Sequence, residues 1–352
     1  MSSAATVTLD AVAAVIPDRG PPQLLLFLGD EVESGYAKTA FGLRDWAGPR
    51  CVGELTLPGA AVTTGLPAMS VTEAYAKGAR ALAIGVATRG GMIPANWMPT
   101  LLAALDAGLD LISGMHARLT DLPELVTKAN KLGRRLSDIR VPPAGIAVGT
   151  GLRRTGWRVL TVGTDCALGK KYAALAITRG LKARGRDVTF RATGQTGIML
   201  SGSGIPIDAV VADFVAGAAE MLSPAAAANH IDVIEGQGSI FHPSYAAVSL
   251  GLLHGSQPDR FVVCHQPGRT AMLGMTGFLL PTIQSVIAQT IALGRLTNPG
   301  IACAGVCLNT VTMDQAMAAA EIERTSRELG LPCADPLRGG AEFELLLDGC
   351  AG

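Results

Sequence analysis

The sequence predicts an α/β protein with two domains, each built around a parallel sheet. The chain has 352 residues, more than one hydrophobic core of ordinary size accommodates. Apolar runs of strand length alternate with amphipathic helical segments, as they do in parallel sheets with helical crossovers. The stretch Val141-Pro142-Pro143 is the expected linker. We therefore expect one domain over residues 1–145 and a second over residues 146–352.

Strands and helices alternate in the first half of the chain. The expected strands are 24–28, 81–86 and 109–112, and the expected helices are 71–79, 99–107 and 123–136. Pro123 suits the first turn of the last helix, where its missing N–H costs nothing. Short helical crossovers between apolar strands indicate a parallel sheet.

The second half repeats this organisation. The expected strands are 157–162, 187–192, 231–234, 260–264 and 301–308, and the expected helices are 170–184, 207–221, 281–293 and 313–329. About five parallel strands with helices between them are typical of a doubly wound, nucleotide-binding sheet.

A phosphate-binding loop is the most informative motif in the chain. An apolar strand leads directly into a Gly-rich turn, and Gly169-Lys170 opens a helix. In such a turn the backbone N–H groups point inward, the helix N-terminus adds positive charge and the lysine reaches over the ligand. The residues expected to contact a bound polyphosphate are Gly163, Thr164, Asp165, Cys166, Ala167, Leu168, Gly169, Lys170 and Lys171.

The loop lacks one of its usual parts. A nucleotide-hydrolysing loop has Ser or Thr after the lysine to hold Mg²⁺, whereas this chain has Lys171. Thr164 is an alternative source of the hydroxyl. The sequence thus predicts a polyphosphate ligand, with no metal expected and ATP chemistry not implied.

Three residues are candidates for proton transfer. Glu235 follows an apolar strand and precedes two glycines, so it is expected at the carboxyl edge of the sheet, where open α/β sheets bind ligands. His265 also ends a strand and has a side chain suited to carry protons near neutral pH. Asp213 lies on a helical stretch and either faces the loop or sits on the helix surface. The alternatives are a solvated carboxylate for Glu235 and a structural, hydrogen-bonded role for His265.

Cationic and amide side chains are candidates for holding a substrate acid. Arg191 ends a strand, Gln195 follows it, and Arg269 follows the strand that ends at His265. A guanidinium at such an edge binds a carboxylate bidentately, or else pairs with a carboxylate of the chain itself. In the first half, Lys38 and Arg44 are the corresponding candidates.

Composition excludes several classes of protein. Lys plus Arg and Asp plus Glu both number 29, which argues against a nucleic-acid partner. No apolar run reaches the roughly 18–20 residues of a membrane span. The 7 cysteines are scattered, with no CxxC pair, so we expect reduced thiols in a cytoplasmic protein and no cysteine-built metal site. Ala-rich helices and the low charge favour a homo-oligomer.

These motifs together resemble one family. The loop by itself has a GTDxxxGK form similar to that of dethiobiotin synthetase. The wider resemblance is to the DgcN-type D-glutamate N-acetyltransferase family, a P-loop family with a Rossmann-like N-terminal domain that was long of unknown function. It rests on residues 163–170, 191–197, 235–239, 265–269 and 305–310, and on the shorter stretches 38–40 and 113–116.

The resemblance implies a Rossmann-like N-terminal parallel sheet and a P-loop NTPase-like, doubly wound C-terminal sheet. It implies acetyl transfer from acetyl-CoA to the amine of D-glutamate, with the phosphates of coenzyme A held by the loop. In relatives of this loop class an Asn ends the fifth strand beside the nucleotide base, which points to Asn309 as an adenine contact. The alternatives are an ATP- and Mg²⁺-dependent ligase or kinase resembling dethiobiotin synthetase, and a non-catalytic sensor of acyl-CoA or nucleotide.

Overall fold

A computed structural model describes residues 22–352, and residues 1–21 of the predicted N-terminal domain lie outside the described residues. The described chain divides into two compact units. The first unit holds the described residues up to Pro142 together with Gln195–Pro206, and the second holds Pro143–Gly194 and Ile207–Gly352. Each unit contains one parallel sheet, so the predicted α/β class is confirmed. Between residues 22 and 352, no helix combines the length and the apolar character that crossing a membrane requires.

The first unit is a five-stranded sheet with strand order β2-β1-β3-β4-β5. Its strands are β1 (Leu24–Gly29), β2 (Cys51–Thr56), β3 (Ala81–Ile84), β4 (Asp110–Ser113) and β5 (Leu136–Asp138). Its helices from the first half of the chain are α1 (Lys38–Ala47), α2 (Val71–Ala76), α3 (Met98–Asp106) and α4 (Pro123–Leu132). Strand β1 is entirely buried, as its apolar run predicts.

In this unit, α1, β2 and β5 from the first half of the chain, and the helix Gln195–Ser201 described below, are not among the predicted elements. Gly53 and the buried carboxylate of Glu54 interrupt the apolar pattern of β2. Strand β5 occupies the end of the predicted helix 123–136, because Gly133 adopts a left-handed conformation with φ of 62° and ends α4. Because α4 ends at Leu132, the residues that follow it are able to form β5 beside β4.

The second half of the chain forms a longer series of elements. Its strands are β6 (Trp157–Gly163), β7 (Val188–Arg191), β8 (Ile231–Ile234), β9 (Arg260–His265), β10 (Ala302–Leu308) and β11 (Cys333–Ala334). Its helices are α5 (Lys170–Ala183), α6 (Gln195–Ser201), α7 (Val215–Leu222), α8 (Ala246–Ser256), α9 (Ile283–Gly294), α10 (Gln315–Leu329) and α11 (Ala341–Ala351). The sheet order is β11-β10-β9-β6-β8-β7, so β6 lies between β9 and β8.

Helix α6 belongs to the first unit although it follows β7 in the chain. The hydroxyl of Thr196 lies 3.1 Å from the hydroxyl of Thr39 at the start of α1. A Cβ placed on Gly114, just after β4, would lie 1.9 Å from Oε1 of Gln195, so the two residues are in close contact. The start of α6 thus lies against the carboxyl edge of the first sheet, where open α/β sheets generally bind ligands.

The predicted helix 207–221 is wrong over its first half. The chain forms short 3₁₀ turns at Ile207–Ala209 and Ala212–Phe214, and α7 begins only at Val215. Between the turns, Val211 is extended, with φ of −59° and ψ of 137°. The β-branched residues there have weak helix propensity, and the isolated turns satisfy the local backbone instead.

Helix α8 was missed because it is apolar on nearly every side and contains two glycines. Those glycines allow close packing on α7. A Cβ on Gly251 would lie 2.5 Å from Cγ1 of Val215, and one on Gly255 would lie 2.0 Å from the carbonyl oxygen of Ala216. The sequence shows only small residues here, and the reason for them is the partner helix.

A buried arginine holds the amino end of β6. Arg158 is 1% exposed, and its guanidinium donates to the carbonyls of Thr155 (3.0 Å) and Pro224 (2.9 Å) and to the hydroxyl of Ser223 (3.0 Å). The guanidinium therefore satisfies backbone acceptors that would otherwise be buried without donors. This fixes the start of the strand that carries the phosphate-binding loop at its other end.

We predict that Arg158→Met lowers the free energy of unfolding by about 3 kcal/mol, because several buried carbonyls lose their donors. Urea unfolding followed by circular dichroism measures the change. The matched control is Arg327→Met on the exposed face of α10, where an ion pair with Glu323 is 72% and 78% exposed; it should shift stability by less than about 0.5 kcal/mol. Equal midpoints for the two variants would contradict the structural role of Arg158.

Candidate functional site

The loop between β6 and α5 folds as a cradle. Ala167 (φ 56°) and Gly169 (φ 104°) both adopt left-handed conformations, which turn the backbone inward before α5 begins. The ammonium of Lys170 is buried and donates to the carbonyl of Asp165 at 2.7 Å, so it lies across the loop. Burial lowers the pKa of Lys170. The predicted strand, turn, lysine and helix are therefore assembled in the arrangement that is typical of anion-binding loops.

Glu235 lies at the end of β8, next to the loop strand. It is 4% exposed, and its Oε2 accepts the N–H groups of Thr193 at 3.0 Å and Gly194 at 3.1 Å. Burial raises the pKa of Glu235, while the ammonium of Lys171 and the two amides act in the opposite direction. The carboxylate is thus a buried group that two N–H donors hold in place, and the charge of Lys171 offsets part of the effect of burial on its pKa.

Gly236 brings the Glu235 turn against the loop. Its N–H donates to the hydroxyl of Thr161 at 2.9 Å. A Cβ at this position would lie 1.6 Å from the carbonyl oxygen of Thr161 and 3.3 Å from Cδ of Lys170. Only glycine fits this approach, so the Glu-Gly sequence is explained by contact with the loop strand and its lysine.

His265 lies on the other side of the loop strand, at the end of β9. Its Nδ1 is 3.0 Å from the hydroxyl of Thr164, the first loop residue after β6. Burial lowers the pKa of His265, so the imidazole is neutral near physiological pH and able to accept a proton. Glu235 and His265 therefore flank the loop from neighbouring strands, as their strand-end positions predict.

Asp165 ties the loop to the segment that follows β9. Its carboxylate is fully buried and accepts the guanidinium of Arg269 and, at 2.7 Å, the N–H of Leu273. Arg269 also donates to the carbonyl of Cys166 at 3.1 Å. Arg269, a predicted substrate ligand, is thus paired with a carboxylate of the loop itself.

Asp165, Cys166 and His242 offer one oxygen, one sulfur and one nitrogen within 4.8 Å of one another. Oδ1 of Asp165 and Nε2 of His242 are 3.8 Å apart, and neither has a hydrogen-bond partner among the described residues. Nδ1 of His242 accepts the N–H of Ser244 at 3.1 Å, which assigns the imidazole proton to Nε2. A protonated Nε2 does not ligate a metal, and Lys170 and Arg269 already compensate Asp165, so these residues fit a cation poorly. No sequence pattern places His242 beside Asp165, because the two meet only in the folded sheet.

Three further predicted site residues of this unit, Arg191, Asn309 and Asp213, lie in different environments. Nε of Arg191 donates to the buried carboxylate of Asp232 at 2.6 Å, which is the internal pairing left open by the sequence. Nδ2 of Asn309 would lie 4.0 Å from a Cβ on Gly169, so Asn309 is beside the loop. Asp213 is exposed on its 3₁₀ turn, whereas Asp208 is the carboxylate that acts electrostatically on Glu235.

Three candidate substrate ligands lie in the first unit. Lys38 is exposed at the start of α1, and Gln195 contacts Gly114. Arg44 pairs with Asp45 at 2.6 Å and donates to the carbonyl of Thr64 at 2.9 Å. The structure therefore brings together within one unit the loop, Glu235, His265, Arg269 and Asn309, and it places Lys38, Arg44 and Gln195 in the other.

Both halves of the chain match models of known domains. Residues 146–346 match a domain of unknown function described as the DUF1611_C P-loop domain, and residues 54–142 match the DUF1611_N Rossmann-like domain. A protein from Pseudoalteromonas sp. named D-glutamate N-acetyltransferase is 46% identical over 321 residues, which cover 91% of this chain and 97% of that protein. One of the same name from Tritonibacter scottomollicae is 45% identical over 317 residues, covering 90% and 95%. A crystal structure of a DUF1611 family protein from Anabaena variabilis is 34% identical, with a TM-score of 0.82 and coverage of 93% of this chain and 99% of that chain.

We predict that Asp165→Asn destabilises the protein by about 2 kcal/mol, because Arg269 loses a buried, charged partner while the amide keeps the shape of the side chain. Urea unfolding checks this value. Asp213→Asn makes the same chemical change on an exposed turn and should alter stability by less than about 0.5 kcal/mol. A wild-type unfolding midpoint for Asp165→Asn would show that the ion pair does not hold the loop.

Proposed function

Because the chain belongs to the DUF1611 family, as the sequence predicts, and is an acyltransferase, we propose that it transfers the acetyl group of acetyl-CoA to the amine of D-glutamate. The donor and the acceptor are both part of the proposal. Support for D-glutamate comes from the two relatives of that name, whose similarity extends over nine-tenths of this chain.

The observation that supports acetyl-CoA as the acetyl donor is the cradle between β6 and α5. Coenzyme A has a diphosphate and a 3′-phosphate, and inward-facing amides at a helix N-terminus bind such groups. Lys170 lies across the cradle and Lys171 follows it in the first turn of α5, so two positive charges at this point of the loop favour the binding of phosphates. Asn309, beside Gly169, is the proposed adenine contact. No metal is required by this arrangement.

Acetyl transfer needs an unprotonated amine, and Glu235 and His265 are the two proposed bases. The pantetheine arm has the length of about four extended residues, roughly 14 Å. Both candidate bases lie on strands that directly neighbour the loop strand. If the loop holds the diphosphate, either base reaches the thioester only when the arm folds back over the sheet edge.

The arginines predicted to hold substrate carboxylates have partners within the chain. Arg269 would have to exchange Asp165 for the substrate, and Arg191 would have to exchange Asp232. Each exchange would take a hydrogen-bonded guanidinium away from a buried carboxylate, which is costly. We therefore propose that Arg269 holds the loop in shape and that Arg191 holds the edge of the sheet.

The proposed activity is tested by release of thiol from acetyl-CoA, with D-glutamate or L-glutamate added in the presence of EDTA. We expect release with D-glutamate and none with L-glutamate, and N-acetyl-D-glutamate should appear by mass spectrometry. An absence of release with both isomers would contradict the proposal. ATP hydrolysis with Mg²⁺ would then be measured, as the alternative ligase or kinase requires.

The base is identified by pH profiles of variants. The pKa of Glu235 is raised from its ordinary value of 4.5, and that of His265 is lowered from 6.5. A base works when unprotonated, so kcat/KM should rise with pH through the pKa of the residue that acts as the base. If Glu235 is the base, Glu235→Gln should lose about 10²–10⁴-fold in kcat/KM together with this rising limb, while His265→Gln keeps the limb. Full turnover in Glu235→Gln would exclude Glu235, and full turnover in both variants would exclude both residues.

A further inference from the structure

Lys171, the residue after the loop lysine, occupies the position that helps to bind Mg²⁺ in many loops of this kind. In nucleotide-hydrolysing loops, the hydroxyl at that position and a carboxylate from another strand together hold Mg²⁺. This chain keeps a carboxylate, Glu235, on the strand directly beside β6. It replaces the hydroxyl with the ammonium of Lys171, which is half-buried in the first turn of α5.

The geometry holds the carboxylate close to the loop. Gly236 packs against the backbone of Thr161 and the side chain of Lys170, so the Glu235 turn does not move away from the loop strand. The amides of Thr193 and Gly194 hold one carboxylate oxygen. A carboxylate buried to this degree is stabilised by a cation nearby. Lys171 directly follows Lys170, whose side chain the Gly236 turn contacts, and its charge lowers the pKa of Glu235 against the larger effect of burial.

We propose that Lys171 takes the place of the divalent metal and thereby selects phosphate ligands that bind without one. Such a site accepts the phosphates of coenzyme A and discriminates against the Mg²⁺ complex of a nucleoside triphosphate. The naming of coenzyme A as ligand rests on the proposed function, whereas the exclusion of Mg²⁺ follows from the site alone.

The exclusion has a simple physical cause. A magnesium ion entering beside Glu235 would face the Lys171 ammonium in a poorly solvated site, where repulsion between like charges is strong. It would also find no hydroxyl at position 171 to complete its octahedral set of oxygen ligands. Rejection of the wrong ligand by a built-in repulsive charge is a common source of specificity.

The test is calorimetric binding of CoA and of ATP to the full chain, each with Mg²⁺ and with EDTA. For the wild type, we expect CoA affinity to be the same in both conditions and Mg²⁺ to give no gain in ATP affinity. Tighter ATP binding by the wild type in Mg²⁺ than in EDTA would overturn the proposal, and this measurement needs no variant.

Three variants, one of them a control, test the role of Lys171 in this selectivity. Lys171→Thr should weaken CoA binding at least about tenfold, since a charge-assisted contact is lost, and should make ATP binding stronger in Mg²⁺ than in EDTA. Lys171→Arg keeps the cation and should retain metal-independent binding. The matched control is Lys182→Thr, at an exposed position in the last turn of the same helix, which should bind like the wild type. Unchanged CoA affinity in Lys171→Thr would overturn the proposal.

Failure of this inference and failure of the proposed function have different signatures. A chain that acetylates D-glutamate but binds ATP more tightly with Mg²⁺ keeps its proposed function and loses the assignment of Lys171. A chain that releases no thiol but binds phosphates independently of metal, and becomes metal-dependent in Lys171→Thr, keeps the assignment and loses the proposed function.

Discussion

Buried charge beside the phosphate-binding loop has to be compensated within the chain, and this constraint organises the candidate site. Two carboxylates lie there with almost no exposure, Asp165 in the loop and Glu235 at the end of β8. Leaving either one ionised without partners would cost several kcal/mol, so each is supplied with N–H donors and a cation. Arg269 forms an ion pair with Asp165, and the charge of Lys171 lowers the pKa of Glu235 against the larger effect of burial.

The same constraint explains why the arginines of the site pair with carboxylates of the chain itself. A strand-end arginine is equally suited to an external carboxylate and to one in its own chain. Here Arg191 and Arg269 each face a carboxylate that is buried and needs them. These internal ion pairs are strong, because charges attract each other more strongly in a medium of low dielectric constant than in water.

Close backbone approach is the second condition for the site, and glycine supplies it. Gly236 allows the Glu235 turn to touch both Thr161 and Lys170, while Gly251 and Gly255 allow α8 to pack directly on α7. These contacts hold β8 and its following helix in register with β6. The positions of the carboxylate and the loop are therefore coupled through backbone contact, which is stiffer than contact through long side chains.

The sequence is sufficient to predict the α/β class, most strands of the second sheet and the phosphate-binding loop, because each depends on a local pattern of residues. Apolar runs mark buried strands, and a Gly-Lys pair between a strand and a helix marks the cradle. It also placed Glu235 and His265 correctly at strand ends. Elements with weak local patterns were missed: β2 contains a buried glutamate, and α8 has no polar face.

Which charged and polar groups pair with each other depends on contacts between residues that are far apart in the sequence. His242 and Asp165 are distant in sequence and meet because β8 and β6 are neighbours in the sheet. Gln195 follows β7 in the chain, yet it lies with α6 in the first unit. Whether a charged side chain faces a ligand or a partner in its own chain depends on burial and on distances between residues remote in sequence. Those quantities are set by the packing of the whole sheet, and no local pattern of residue types encodes them.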